Sequence, residues 1–497
     1  MLLSSPLFLF LFLPVVLTTY LILPRALRNL FLLGTSLLFY AWSAHAYVLV
    51  LLFAILLNYA LGLCLLRTPR GGEVASRPRS AVLYLILLFD LGLLVTSRYR
   101  LSFPSANIPG GPQFIPGAAR LGVSFFALAL MSYAIDVHRG RVPPARDPLR
   151  FGVYVSFFSK IVAGPIVRYR DVAEQLVRPR VSRSDLAVGV QRFVIGLAKK
   201  VLIADTLALV ADDVFATPGQ NLTAAAAWLG ALCYGLQIYY DFSGYSDMAI
   251  GLGRMFGFEF LENFNYPYVS RSLGEFWRRW HISLSTWLRD YLYLPLAYAI
   301  SRRIQAERLL NLRAEMWAYS VATFTTMLLC GLWHRLSWGC ALWGLWHGLH
   351  LVVENSRPGK KLLRRCGGPT RYLLTQWVVL MGWVVFRAGT LSQSASLLRV
   401  MYGLGRGGAR ADTLVSPSVY LGRPLGLALC VGLAFCVPLA PALRRWTVSH
   451  SQSLVEANPW IPTLASLGYV VFLLALLLAV AMSLAGVTYS PFIYQQF

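Results

Sequence analysis

The segment from Ile461 to Val487 contains no charged side chain, and at about 1.5 Å of rise per residue such a run crosses a ~30 Å hydrocarbon core with some tilt. Comparable apolar runs begin near Leu7, Leu30, Tyr47, Ala81, Arg120, Leu186, Ala224, Trp317, Tyr372 and Gly426. With 57% hydrophobic and only 13% charged residues, the chain spends its apolar content in blocks rather than at amphipathic spacing. In lipid every backbone N–H and C=O must find its partner within its own segment, so the blocks predict an all-α, polytopic integral membrane protein. The pattern predicts about ten to twelve spans, with further re-entrant or interfacial helices.

A formal net charge of +24 raises the question of a nucleic-acid partner. The basic residues, however, gather in loops between apolar runs, as in "RTPRGGEVASRPRS", "HRGRVPPARDPLR", "SRRIQAERLLNLR" and "RPGKKLLRRCGG". Positive-inside topology accounts for that distribution, and no nucleic acid is expected. Residues Met1 to Pro24 contain no Lys or Arg, and Arg25 and Arg28 follow the first run, which places the N-terminus outside. Arg444 and Arg445 precede the last run, so the tail "TYSPFIYQQF" is expected outside as well. The expectation is one membrane domain over 1–497: N-terminal spans over 1–119, a core carrying the polar motifs over 120–390, and C-terminal spans with the exported tail over 391–497. The seven cysteines lie mostly inside apolar runs and show no C-x-x-C spacing, so neither a disulfide framework nor a metal site is expected.

Ionisable residues inside apolar runs mark functional sites by default, and three stretches carry them. In "FFSKIVAGPIVRYRD", Lys160 precedes a Gly164-Pro165 break that predicts a bent or re-entrant element; a helix end with snorkelling Lys and Arg explains it equally well. In the stretch from Leu236 to Leu296, Asp241, Ser243, Ser246 and Asp247 sit at the centre of a mostly apolar run, which requires a polar cavity or mutual pairing. The same stretch continues into a strip with Trp277, Arg278, Arg279, Trp280, His281, Trp287, Arg289 and Asp290. An interfacial helix with a tryptophan belt explains its arginines as well as phosphate binding does, but His281 and the acids less well. In "TTMLLCGLWHRLSWGCALWGLWHGLHLVVEN", His334 lies deep in an apolar stretch, where an imidazole suits proton transfer. His347 and His350, toward the far end, read as satisfied structural histidines. There is no H-E-x-x-H, Gly-rich phosphate loop or Cys/His zinc spacing.

The run "YYDFSGYSDMAIGLGRMFGFEFLENFNYPYVSRSLGEFWRRWHISLSTWLRDYLYLPL", followed by "GLWH" and "LWGLWHG" and preceded by "SYAIDVHRG" and "FFSKIVAGPIVRYRD", resembles the membrane-bound O-acyltransferase (MBOAT) family. The likeness extends over roughly Met1 to Gly403 and is greatest to the branch that acetylates bacterial exopolysaccharides. It implies a helical ring around a transmembrane tunnel, with His334 of "GLWH" as the catalytic residue and His281 of "RRWHIS" approaching it. It further implies a bacterial inner-membrane enzyme with no permanently bound cofactor and no metal. It implies, too, acetyl-CoA as the cytoplasmic donor and an exported SGNH-hydrolase-type partner that places acetyl groups on a polysaccharide. Arg278, Arg279 and Arg289 become candidates for CoA phosphates, since a guanidinium matches phosphate bidentately, while Asp241, Ser243, Asp247 and Lys160 become tunnel-lining polar residues. The ending "FIYQQF" resembles an aromatic C-terminal motif of this branch, in which the tyrosine, here Tyr494, accepts the acyl unit; an aromatic anchor at the membrane surface explains it nearly as well.

Two departures stand out. Arg335 follows "GLWH" where the family has Gly, and "PLAYAISRRIQAERLLNLRAE" replaces a shorter Gly-rich connection. Rival readings are D-alanyl transfer to teichoic acid, acetylation of peptidoglycan or another glycan, and a transporter with acids and His along its path.

Overall fold

The computed structural model describes residues 2–67, 73–98, 122–304, 308–309, 312–404, 414–439, 441–442 and 460–486. Apart from loops and a pair of two-residue antiparallel strands, Arg308–Leu309 and Leu312–Arg313, these residues are helical. The chain divides into two compact units. One comprises the residues up to Gly196 together with Tyr245–Glu262, the other Leu197–Gly244 and the described residues from Asn263 onward.

The first unit contains α1 (Leu13–Ile22), α2 (Arg25–Ala44), α3 (Tyr47–Arg67), α4 (Glu73–Arg98), α5 (Val123–His138), α6 (Pro148–Ser156), α7 (Tyr169–Val177) and α8 (Arg183–Ala198). Its core is aromatic. Phe158 meets Phe256 edge-on at 5.5 Å and Phe39 at 5.8 Å, while Phe157 packs on Phe258 at 5.3 Å. The Gly164-Pro165 break lies in a buried, non-helical stretch between α6 and α7. Gly164 is required there, because a β-carbon would stand 2.4 Å from Lys160 Cα. Irregular backbone at membrane depth is tolerated only inside protein or beside a cavity, and burial supplies that condition. Lys160, 6% exposed, holds its Nζ 5.1 Å over the Tyr154 ring.

The second unit opens with a π-helical turn, Lys199–Ala204, followed by α9 (Asp205–Ala216) and α10 (Ala224–Met255), whose last turns belong to the first unit. Then come the short α11 (Leu273–Arg279) and α12 (Ile282–Leu288), a second π turn at Arg289–Tyr293, and α13 (Leu294–Arg303). The remaining helices are α14 (Ala314–His334), α15 (Trp338–Asn355), α16 (Arg357–Arg365), α17 (Gly368–Arg387), α18 (Leu391–Met401), α19 (Arg423–Phe435) and α20 (Ile461–Gly486). Helices α14 and α15 form an antiparallel hairpin whose backbones touch at glycines. A β-carbon on Gly331 would lie 2.1 Å from the Cys340 carbonyl, and one on Gly344 2.3 Å from that of Met327. Small residues at the contact are the usual means of close helix packing in membranes.

Among the described residues, four helices are long and apolar enough to cross a membrane: Tyr47–Leu65, Pro78–Ser97, Ala314–His334 and Thr463–Gly486. The expectation of about ten to twelve spans also counted runs that fold into shorter apolar helices, Phe8–Ile22, Val123–His138 and Arg423–Phe435. It counted as well long helices interrupted by polar side chains, such as α10. On α20, Leu464, Leu467, Val471, Leu474, Leu478 and Met482 are all exposed, the surface that a lipid-facing span presents.

Candidate active site

The site is built in the second unit, where α11 and α12 meet the α14–α15 hairpin. The sequence "SLGE" starts α11 as a capping motif: Ser272 Oγ accepts from the Glu275 N–H at 3.1 Å, and Glu275 Oε2 accepts from the Arg271 N–H at 3.0 Å. Glu354 at the end of α15 closes the same helix start, its carboxylate receiving the Leu273 and Gly274 N–H groups at 2.7 and 3.2 Å. These are helix donors that would otherwise lack partners. Partial burial pushes the Glu275 carboxyl upward, yet the Arg271 N–H and the Arg279 guanidinium outweigh it and hold that carboxyl below its ordinary range.

Between α11 and α12 the backbone turns at His281, whose φ of 41° is left-handed and costs a non-glycine residue on the order of 1–3 kcal/mol. Asn263 holds the turn. Its carbonyl oxygen accepts from the Ile282 N–H at 2.9 Å, and its Oδ1 receives the Ser283 N–H at 3.2 Å, the Ser283 hydroxyl at 2.9 Å and His281 Nδ1 at 3.1 Å. A backbone N–H can only donate, so the Asn263 atom facing it is the amide oxygen. His281 Nδ1 must then carry the hydrogen, and Nε2 presents a lone pair. Nε2 is buried and has no hydrogen-bond partner among the described residues.

His334 is the last residue of α14, 5% exposed and enclosed by rings: Trp333 at 4.7 Å, Phe386 at 5.3 Å and Trp343, perpendicular, at 5.6 Å. The His281 ring stands 6.4 Å from that of Trp333, so both imidazoles pack against one indole. On its other sides His281 meets the edge of Phe242 at 4.6 Å and stacks on Phe264 at 6.5 Å. Two imidazoles in a water-poor aromatic enclosure, one with a fixed tautomer, are equipped to accept and return a proton.

The other expected site residues divide. Arg278 is exposed on α11. Arg279 is engaged within the fold, pairing with Glu275 at 3.0 Å and donating to the Asn265 carbonyl at 3.0 Å. Arg289 is 59% exposed and bonds Asp290 at 2.8 Å. Asp241 pairs with Lys200 at 3.0 Å, and Lys200 also reaches Asp205 at 2.5 Å. The Ser243 hydroxyl is buried with no partner among the described residues. Asp247 and Lys160 belong to the first unit, where Asp247 pairs with Arg192 at 2.9 Å. Tyr494 lies outside the described residues. His350 behaves as expected, its Nδ1 2.8 Å from the Trp346 carbonyl. His347 does not, for neither of its ring nitrogens has a partner among the described residues. Sequence reading passed over Asn263, Lys200 and Glu354. Glu354 ends the apolar "HLVVEN" and Lys200 sits inside a long apolar run, so the intramembrane-charge criterion applied to both; Asn263 gave no such signal.

Over residues 137–357 the chain matches the model of the membrane-bound O-acyltransferase family. It is 37% identical to a Pseudomonas aeruginosa protein named "Probable alginate O-acetylase AlgI", across 100% of both chains. A Helicobacter pylori "Peptidoglycan O-acetyltransferase" is 32% identical over 81% of this chain and 80% of its own. A Bacillus subtilis "Teichoic acid D-alanyltransferase" is 28% identical over 47% of this chain and 58% of its own. The chain belongs to the membrane-bound O-acyltransferase family. It is a membrane-embedded O-acyltransferase, and the transporter reading is set aside.

Proposed function

We propose that this enzyme takes acetyl groups from cytoplasmic acetyl-CoA and passes them across a bacterial inner membrane for O-acetylation of an extracytoplasmic, alginate-like polysaccharide. The observation that carries the reading is the pair His281 and His334 against Trp333, with Asn263 fixing the first imidazole. His334 takes the proton of the attacking hydroxyl, and His281, its Nε2 lone pair unprotonated, orients His334 or steadies the charge it acquires. Arg278 and Arg289, the exposed arginines, contact CoA phosphates, while Arg279 stays with Glu275. Asp241 and Ser243 line the polar part of the route in the second unit. The full-length likeness to the P. aeruginosa protein favours an alginate-like acceptor over peptidoglycan or teichoic acid.

CoA is bulky, charged and confined to the cytoplasm, so only the acyl unit crosses. Tyr494 accepts it as a phenyl ester and hands it to an exported SGNH-hydrolase-type partner. Both chain ends face outward in this reading, as does the turn between α14 and α15, since basic segments flank that hairpin at Arg302–Arg313 and Arg357–Arg365.

The test is made with purified protein in lipid discs and labelled acetyl-CoA. Turnover by the wild type, lost in His334→Ala at equal protein level, is the expected result; acetylation retained by that variant sinks the catalytic assignment. A D-alanyl thioester used in place of acetyl-CoA would establish the rival donor. Tyr494→Phe keeps the aromatic ring and removes one oxygen. Normal polymer acetylation by it would remove the carrier.

A further inference from the structure

Trp343 and His347 stand one turn apart on α15, with their rings 4.9 Å apart, and they are 1% and 0% exposed. Among the described residues, neither nitrogen of His347 has a hydrogen-bond partner, nor has the indole nitrogen of Trp343. Trp277 on α11 adds a third such group. Its ring lies 5.4 Å from His347 and 5.8 Å from Trp343, and its Nε1 is buried and equally unpartnered. Facing them on α17 is Gly382. A β-carbon there would stand 2.8 Å from His347 Nε2 and 3.5 Å from Trp343 Nε1, so only glycine lets the α17 backbone pass this close to both nitrogens. Folded proteins seldom leave neighbouring buried polar nitrogens unsatisfied. An indole nitrogen can only donate, so the group this arrangement suits is a small oxygen acceptor.

These nitrogens lie close to the proposed base, because the Trp343 ring also meets the His334 ring at 5.6 Å. We propose that Trp343 Nε1–H and His347 Nε2–H, both beside Gly382, form the oxyanion site of the acyl transfer, and that its ligand is the carbonyl oxygen of the acyl group. The inference rests on the acyl-transfer reading given above. As the acceptor oxygen bonds to the acyl carbon, its proton passes to His334 and the carbonyl π pair moves onto oxygen. The two N–H groups meet the charge that develops there. On collapse the C=O re-forms, the C–S bond breaks, and the leaving thiolate takes the proton from His334. Trp343 and His347 gain and lose no proton. Donors aimed at charge that exists only in the transition state raise kcat without tightening substrate binding.

Four variants test this. Trp343→Phe keeps the ring and removes the N–H; His347→Leu fills the aromatic enclosure without a donor; His347→Gln keeps an N–H; Gly382→Ala presses a methyl group against both nitrogens. Membrane content, polymer acylation in cells and acetyl-CoA turnover by purified protein are measured for each. W343F, H347L and G382A should lower kcat on the order of 10²-fold at unchanged KM for acetyl-CoA, as loss of one oxyanion donor does elsewhere, while H347Q retains most activity. A purely packing role for His347 predicts the reverse order, with Leu tolerated among the rings and Gln disruptive. Wild-type rates in W343F, or an H347L more active than H347Q, would overturn the proposal, and W343F, the mildest change, decides it if H347L fails to reach the membrane. If wild-type protein acylates polymer in cells but does not turn over acetyl-CoA, the donor is wrong, and the cellular rates of the same variants still decide the oxyanion site.

Discussion

Asn263 is the residue through which the fold reaches His281. One amide oxygen receives three donors at 2.9–3.2 Å, and one of those donors, the Ser283 N–H, dictates the orientation of the amide. A carboxylate in the same place accepts the same bonds, whereas an alkyl group accepts none. Asn263→Asp should therefore retain acylation. Asn263→Leu should lose about tenfold to a hundredfold, the usual cost of removing the partner that fixes an imidazole's tautomer and orientation. The check is the initial rate of acetyl transfer with membrane content held equal, and equal rates in the two variants would free His281 from Asn263. His334 was legible in the sequence because an imidazole deep in an apolar run is costly without a purpose. Asn263 was not legible, because its partner His281 is 18 residues away and the turn that joins them depends on a left-handed backbone at His281 that no local pattern announces.

At the scale of elements, the π-helical turn Lys199–Ala204 carries Lys200 inward between Asp205 and Asp241. Lys200 is 4% exposed and Asp241 1%, so the pair sits where removing one charge strands the other. Lys200→Met should destabilise the protein by about 3–5 kcal/mol, the usual cost of an uncompensated buried charge, and K200M with D241N should recover part of that loss. Thermal unfolding in detergent and yield in the membrane report it; unchanged stability in K200M would mean that the cluster carries no such load. Sequence reading gave Asp241 either a polar cavity or a partner among Ser243, Ser246 and Asp247; its ion-pair partner is instead Lys200, contributed by a different element, and periodicity cannot say which elements will adjoin. The start of α11 shows the opposite case. Its capping residues Ser272 and Glu275 lie three apart in the chain, so the sequence displays the whole device.

For the molecule as a whole, the transfer between two compartments proposed above requires the hairpin that carries His334 to be oriented in the membrane. Helix α14 spans 21 residues, which at about 1.5 Å each reaches across a ~30 Å hydrocarbon core. Basic clusters adjoin both open ends of the hairpin, with Arg302, Arg303, Arg308 and Arg313 before α14 and Arg357, Lys360, Lys361, Arg364 and Arg365 after α15. By the positive-inside rule both ends should lie in the cytoplasm and the turn next to His334 should face outward. Leu336 in that turn is 54% exposed, and Leu362 on α16 is 60% exposed. Each accepts a cysteine without disturbing the core. In a chain whose own seven cysteines have been replaced, an impermeant maleimide should label Leu336→Cys on cells whose inner membrane is sealed. Leu362→Cys should react only after that membrane is opened. The reverse pattern, or labelling of both from one side, would turn the hairpin over. His334 would then lie at the cytoplasmic surface beside the donor, and delivery of the acyl group to the far side would fall to other residues.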